Sequence, residues 1–93
     1  MQDRCFVWLN RKSDKDIAFD KDIVDRHVAY LKSLPKDVLI AGGEFKDSIK
    51  GMLILKAHSK QEAIDIASDD PLVKAGMLDI EIYEWNILID NSR

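Results

Sequence analysis

The sequence predicts an α+β fold in the element order β-α-β-β-α-β, built on one antiparallel sheet. Four short runs rich in β-branched and aromatic residues are interleaved with two helical patterns in that order. Each helical pattern opens on a residue that caps helices. The first and third strand runs place apolar residues on both of their faces, so neither face of the sheet is patterned for water.

Arg4 to Leu9 (RCFVWL) reads as the first strand, and Asn10 to Phe19 as a polar loop. Asp20 is placed to cap the first helix. Phe19 and Val24 flank that cap as a hydrophobic staple, and Pro35 stops a helix that runs to about Leu34. Val38 to Gly42 is a short second strand. Lys46 to Lys50 forms a polar hairpin-type connection into the third, Gly51 to Ala57. Ser59-Lys60-Gln61-Glu62 is a capping box that opens the second helix, which turns Ala63, Ile64 and Ala67 inward. Asp70-Pro71 reads as a cap followed by proline at the first helical position, opening an extra turn that Gly76 closes. Leu78 to Ile89 is the last strand. Its apolar phase changes after Ile82, from Leu78 and Ile80 to Tyr83, Trp85, Ile87 and Ile89, which predicts a bulge or a change of buried face.

This order is the ferredoxin-like split βαβ arrangement, in which two helices cover one face of the sheet. The other face is left open. Cys5, Val7 and Leu9 oppose Phe6 and Trp8 on the first strand, and Met52 and Ile54 oppose Leu53 and Leu55 on the third. A chain of 93 residues is one domain, spanning residues 1–93, and has no segment left to cover a second face. A second copy is the simplest cover, so a homodimer through the open sheet face is expected.

Composition excludes several classes of function. With 46% hydrophobic and 33% charged residues and no repeat or biased tract, the chain is neither disordered nor a solenoid. A formal net charge of −3 argues against affinity built on phosphate neutralisation, so no nucleic acid is expected as a partner. A reader of RNA on this topology would also need aromatics on the third strand, and Gly51 to Ala57 has none. The lone Cys5 allows neither an internal disulfide nor a cysteine-based metal site, and it fits a reducing compartment. Met1-Gln2-Asp3-Arg4 lacks the features of a signal peptide, and no apolar run nears the roughly 18 residues of a membrane span. A cytoplasmic protein with no membrane partner is expected.

His27 is the residue that points to chemistry. At about 100° per residue, Ile23, Val24, Val28, Leu31 and Leu34 fall within an arc of about 140°, and His27 lies inside it at about 40°. Asp25, Arg26, Lys32 and Ser33 form the opposite side. The imidazole therefore faces inward, where its nitrogens need partners, either as a satisfied core histidine or as a working group.

Several spaced motifs together carry a family resemblance. Arg26-His27-Val28-Ala29-Tyr30-Leu31, Ala41-Gly42-Gly43-Glu44-Phe45-Lys46-Asp47, Gly51-Met52-Leu53-Ile54-Leu55-Lys56-Ala57, Asp70-Pro71-Leu72-Val73-Lys74-Ala75-Gly76 and Tyr83-Glu84-Trp85-Asn86 follow in order over nearly the whole chain. In these the chain resembles the YciI-like (YCII-related) family. The resemblance implies a dimeric α+β barrel of ferredoxin-like subunits and a histidine and aspartate pair as the active site, carried onto His27 and Asp70. Family members commonly have proline where this chain has Glu44. Some relatives are linked to dehydrochlorination of chlorinated hydroxyhydroquinones.

On that resemblance His27 is a general acid or base and Asp70 orients it, a pair suited to elimination or isomerisation of a small cyclic substrate. Asp70 has a structural reading too, since aspartate before proline is what helix capping alone selects. Gly42 and Gly43 either bring backbone donors to a ligand or permit a turn. Lys56 either lines a pocket or extends to the sheet edge. Tyr83 and Trp85 read as interface or core aromatics, and His58 as a solvated residue before the serine cap. No metal cluster, nucleophile elbow or phosphate loop is present in the sequence, so no cofactor is expected. The competing reading is a non-catalytic dimeric module that binds a metabolite or a protein, because fold alone does not choose between these.

Overall fold

The computed structural model describes residues 4–14, 20–48 and 50–91. Its elements are β1 (Arg4–Lys12), α1 (Lys21–Ser33), β2 (Leu39–Glu44), β3 (Lys50–Ala57), α2 (Lys60–Ser68), the short α3 (Pro71–Lys74) and β4 (Leu78–Glu84). The four strands form one antiparallel sheet in the order β2-β3-β1-β4. Each β-α-β crossover therefore skips one strand, which is the ferredoxin-like α+β arrangement.

Local chemistry sets the helix ends. The Asp20 carboxylate accepts from the Asp22 N–H, and the Leu34 N–H closes on the Leu31 carbonyl just before Pro35. Ser59 accepts from the Glu62 N–H, while the Glu62 carboxylate reaches one residue further back than in the usual box, to the His58 N–H at 3.2 Å. Gly76 takes a positive φ of 74° and ends the α3 turn. The expected Phe19 staple lies outside the described residues.

Residues that alternate along the strands build the core on one face only. Phe6, Trp8, Leu53, Leu55, Ala57 and Ile82 are buried there against Ala63 and Ala67 of α2. On the other face Val7, Leu9 and Ile54 are half-buried, and Met52, Tyr83 and Trp85 are exposed.

Five strand ends differ from the sequence expectation, that of β3 only by beginning one residue early, at Lys50. β1 continues through Asn10, Arg11 and Lys12 because β3 and β4 supply partners on both sides, among them Asn10 opposite Gly51 and Ile80. β2 begins at Leu39, carries an irregularity between Leu39 and Ala41, and extends to Glu44. β4 ends at Glu84 rather than Ile89. The apolar phase change marks no bulge in β4: Ile80 and Ile82 face the helices, Tyr83 faces away, and Ile87, Leu88 and Ile89 are exposed beyond the strand.

Adjacent residues of β3 offer a direct check of facing. Leu55→Ala should cost about 2 to 5 kcal/mol through a core cavity, and Lys56→Ala no more than about 0.5 kcal/mol, as read by urea unfolding of each variant.

Candidate active site

Exposed ion pairs hold the polar side of α1 toward water. Lys21 bonds Asp25 at 3.0 Å, and Arg26 bonds Asp22, each pair four residues apart. The opposite side carries Val24, His27, Val28 and Leu31. α1 packs on α3, and no described residue of α1 is fully buried. Leu31 reaches the core, while Val24, His27 and Val28 line a cavity of about 440 Å³ between the helix and the sheet.

Asp70 is the fixed point beside that cavity. As N-cap of α3 it accepts from the Leu72 N–H at 3.2 Å, and Pro71 supplies the preset first helical φ. Its side chain is fully buried. Its two carboxylate oxygens each lie 2.7 Å from Nδ1 of His27, across 43 residues of sequence. Capping and pairing are thus both present in one side chain. A carboxylate only accepts hydrogen bonds, so the proton shared between Asp70 and the imidazole is carried by Nδ1, which donates. In the neutral imidazole the lone pair then belongs to Nε2, the nitrogen on the far edge of a ring that lines the cavity with a side chain 17% exposed.

Tyr30 braces the same helix from the next turn. Its hydroxyl donates to the Ile66 carbonyl at 2.6 Å, tying α1 to α2. Burial, reinforced by Asp69 and Asp70, pushes its phenol above the ordinary tyrosine value, so it stays a neutral donor. Burial likewise raises the Cys5 thiol above its ordinary value.

Apolar side chains make most of the cavity wall, with Leu53, Leu72 and Leu78 joining the α1 stripe. Polar groups enter from Asn10, Lys12, Glu44, Ser48 and Lys50. Of the residues singled out from sequence, His27 and Asp70 are brought together, and Gly42 and Gly43 line the cavity. Lys56 does not. It pairs with Cys5 on the open face of the sheet, because Leu55 before it and Ala57 after it point to the core. Asn10 and Lys12 were expected in a loop; the signal for them was the continuing alternation Phe6, Trp8, Asn10, Lys12. Among the described residues no group of three His, Cys, Asp or Glu could hold a metal ion.

The two adjacent glycines have different reasons to be there. A Cβ on Gly42 would lie 2.9 Å from Cγ of the buried Leu53, whereas a Cβ on Gly43 would meet nothing within 4 Å. Gly42→Ala should cost about 1 to 3 kcal/mol, and Gly43→Ala should be neutral or stabilise by up to about 1 kcal/mol. Thermal melting of the two variants distinguishes these outcomes.

The chain is similar to known proteins along most of its length. The model of the YCII-related domain matches residues 5–86. The chain is 30% identical over 83 residues to the uncharacterized protein YjpA of Bacillus subtilis (strain 168), an alignment covering 88% of this chain and 94% of that protein. Among solved structures it is similar to 5-chloro-2-hydroxyhydroquinone dehydrochlorinase (TftG) from Burkholderia phenoliruptrix AC1100 in complex with 2,5-dihydroxybenzoquinone. The TM-score is 0.72 and the identity 25%, with 88% of this chain and 93% of that chain covered.

Proposed function

The chain belongs to the family of YCII-related domains, and on that premise we propose that it is a small-molecule lyase or isomerase working through His27 and Asp70. One observation carries the reading: a buried carboxylate holds Nδ1 of an imidazole whose ring lines a cavity large enough for a small cyclic molecule. Nε2 of His27 takes a proton from a carbon or hydroxyl of a small cyclic substrate, and the electron pair left behind moves into the ring system. In an elimination a leaving group such as chloride departs with its bonding pair. In an isomerisation the imidazolium returns the proton at another atom. Asp70 keeps the ring in the productive tautomer and stabilises the imidazolium formed on the way. A similar structure named as a dehydrochlorinase of a chlorinated hydroquinone supports the choice of substrate class.

The test is chloride release from 5-chloro-2-hydroxyhydroquinone and a panel of related chlorinated phenols and lactones. His27→Gln and Asp70→Asn should keep the fold, since asparagine caps as well as aspartate, while turnover falls by about 10² to 10⁴-fold. Turnover at parental level in folded His27→Gln protein, or no turnover by the parent on any member, would leave a binding module as the better reading.

We further propose that the open sheet face is covered by a second copy. Val7, Leu9, Ile54, Met52, Tyr83 and Trp85 make a contiguous apolar surface that nothing described covers. Val7 lies at its middle, between Ile54 and Tyr83. Val7→Lys should convert a dimer to a monomer in sedimentation equilibrium; a parent that is monomeric at about 100 µM removes the proposal. Cytoplasmic residence belongs to the same reading, supported by the unpaired Cys5.

A further inference from the structure

Asn10 is a polar side chain at a position where the strand alternation calls for an apolar one. It follows Phe6 and Trp8 on the core-facing side of β1, and only 9% of it is exposed. Its amide has one described partner: the Trp8 indole N–H donates to Oδ1. An indole nitrogen is a donor only. That bond therefore fixes the amide orientation, with Oδ1 toward the indole and Nδ2 away from it.

Nδ2 is a double donor, and no described residue accepts from it. Yet among the described residues no buried side-chain nitrogen or oxygen lacks a partner. Nδ2 must therefore reach an open surface, and the surface that Asn10 borders is the His27 cavity. His27 enters this space from α1, and Asn10 enters it from the sheet. Lys50 and Ser48 border the same space. A donor at a cavity surface, with its orientation locked by a buried bond and its hydrogens unused by the protein, is a binding group for an acceptor.

We propose that Asn10 is the specificity-determining contact of this site, donating from Nδ2 to a carbonyl, phenolate or enolate oxygen of the ring substrate. This deepens the substrate-site reading above and rests on it. The indole of Trp8 sets which end of the amide faces the ligand. The site then selects oxygen-bearing rings over bare hydrocarbon or halogenated rings of equal size, which would leave the donor unpaired.

The probe is 2,5-dihydroxybenzoquinone, titrated into ¹⁵N-labelled parent, His27→Gln and Asn10→Asp proteins. Asn10→Asp keeps an acceptor for Trp8 while turning the cavity-facing donor into an acceptor, and its spectrum identifies the Asn10 side-chain amide pair by its loss. The expected result has three parts. The probe shifts the Asn10 Nδ2 protons in the parent and in His27→Gln alike, and folded Asn10→Asp binds it at least about tenfold more weakly. Equal affinity in folded Asn10→Asp overturns the proposal. So does an unmoved Asn10 amide while resonances of His27 shift. If Asn10→Asp does not fold, the pair is assigned in the parent from its proximity to the Trp8 indole proton, and its response to the probe decides. Lost turnover in His27→Gln with an intact Asn10 response upholds both readings. Unchanged turnover with that response removes the catalytic reading alone.

Discussion

A carboxylate cannot be buried alone, and Asp70 is fully buried. Its oxygens are satisfied by one backbone N–H at the start of α3 and by the imidazole of α1. Those two bonds hold together parts of the chain that are 43 residues apart. They fix where α3 begins, how α1 lies beside it, and which nitrogen of His27 carries the proton. A cap that served α3 alone could remain half in water, as Asp20 does. Full burial is what makes the partner compulsory.

That link also explains why there is a cavity. α1 is braced through His27 on Asp70 and through Tyr30 on the Ile66 carbonyl, both toward the α2 and α3 side. Its apolar stripe is not drawn down onto β2 and β3. Where a core would close-pack, Gly42 and Gly51 keep the sheet surface low, and Val24 and Val28 border open space while Leu31 reaches the core. The core proper is displaced toward α2, where small Ala63 and Ala67 let that helix settle on Phe6, Trp8 and Leu55. One layer thus serves stability on one side and ligand access on the other. The fold tolerates this because the sheet, paired along its whole length, does not depend on α1 for its own hydrogen bonds.

Helix ends were legible in the sequence because they are set by residues within a few positions: Asp20, Pro35, Ser59, Asp70-Pro71 and Gly76 each act locally. Element order and the inward aim of His27 followed from periodicity for the same reason. Strand ends were less legible, since pairing is a property of neighbours distant in sequence. Asn10, Arg11 and Lys12 look like a loop alone, but they extend β1 because Gly51, Lys50 and residues 78 to 80 lie on either side, with Arg11 meeting Asp79 across the strands. The tail from Trp85 onward looks like strand by composition and is not: β4 ends at Glu84, and the Trp85 N–H donates to the Cys5 carbonyl just past it. Polarity alone leaves Lys56 either lining a pocket or extending to the sheet edge, and parity along β3 sends it to the other face. Asn10 was overlooked because its meaning depends on a tryptophan two residues earlier and on a helix that fails to cover it.

The central claim is that buried Asp70 sets the tautomer of His27 so that Nε2 is the nitrogen offered to the cavity. Long-range ¹H–¹⁵N correlation of the histidine rings measures this directly. Neutral His27 should carry its proton on Nδ1, with that proton shifted downfield by the carboxylate, and Asp70→Ala should abolish the shift. A neutral His27 found with its proton on Nε2, or a ring indifferent to Asp70→Ala in folded protein, would contradict it.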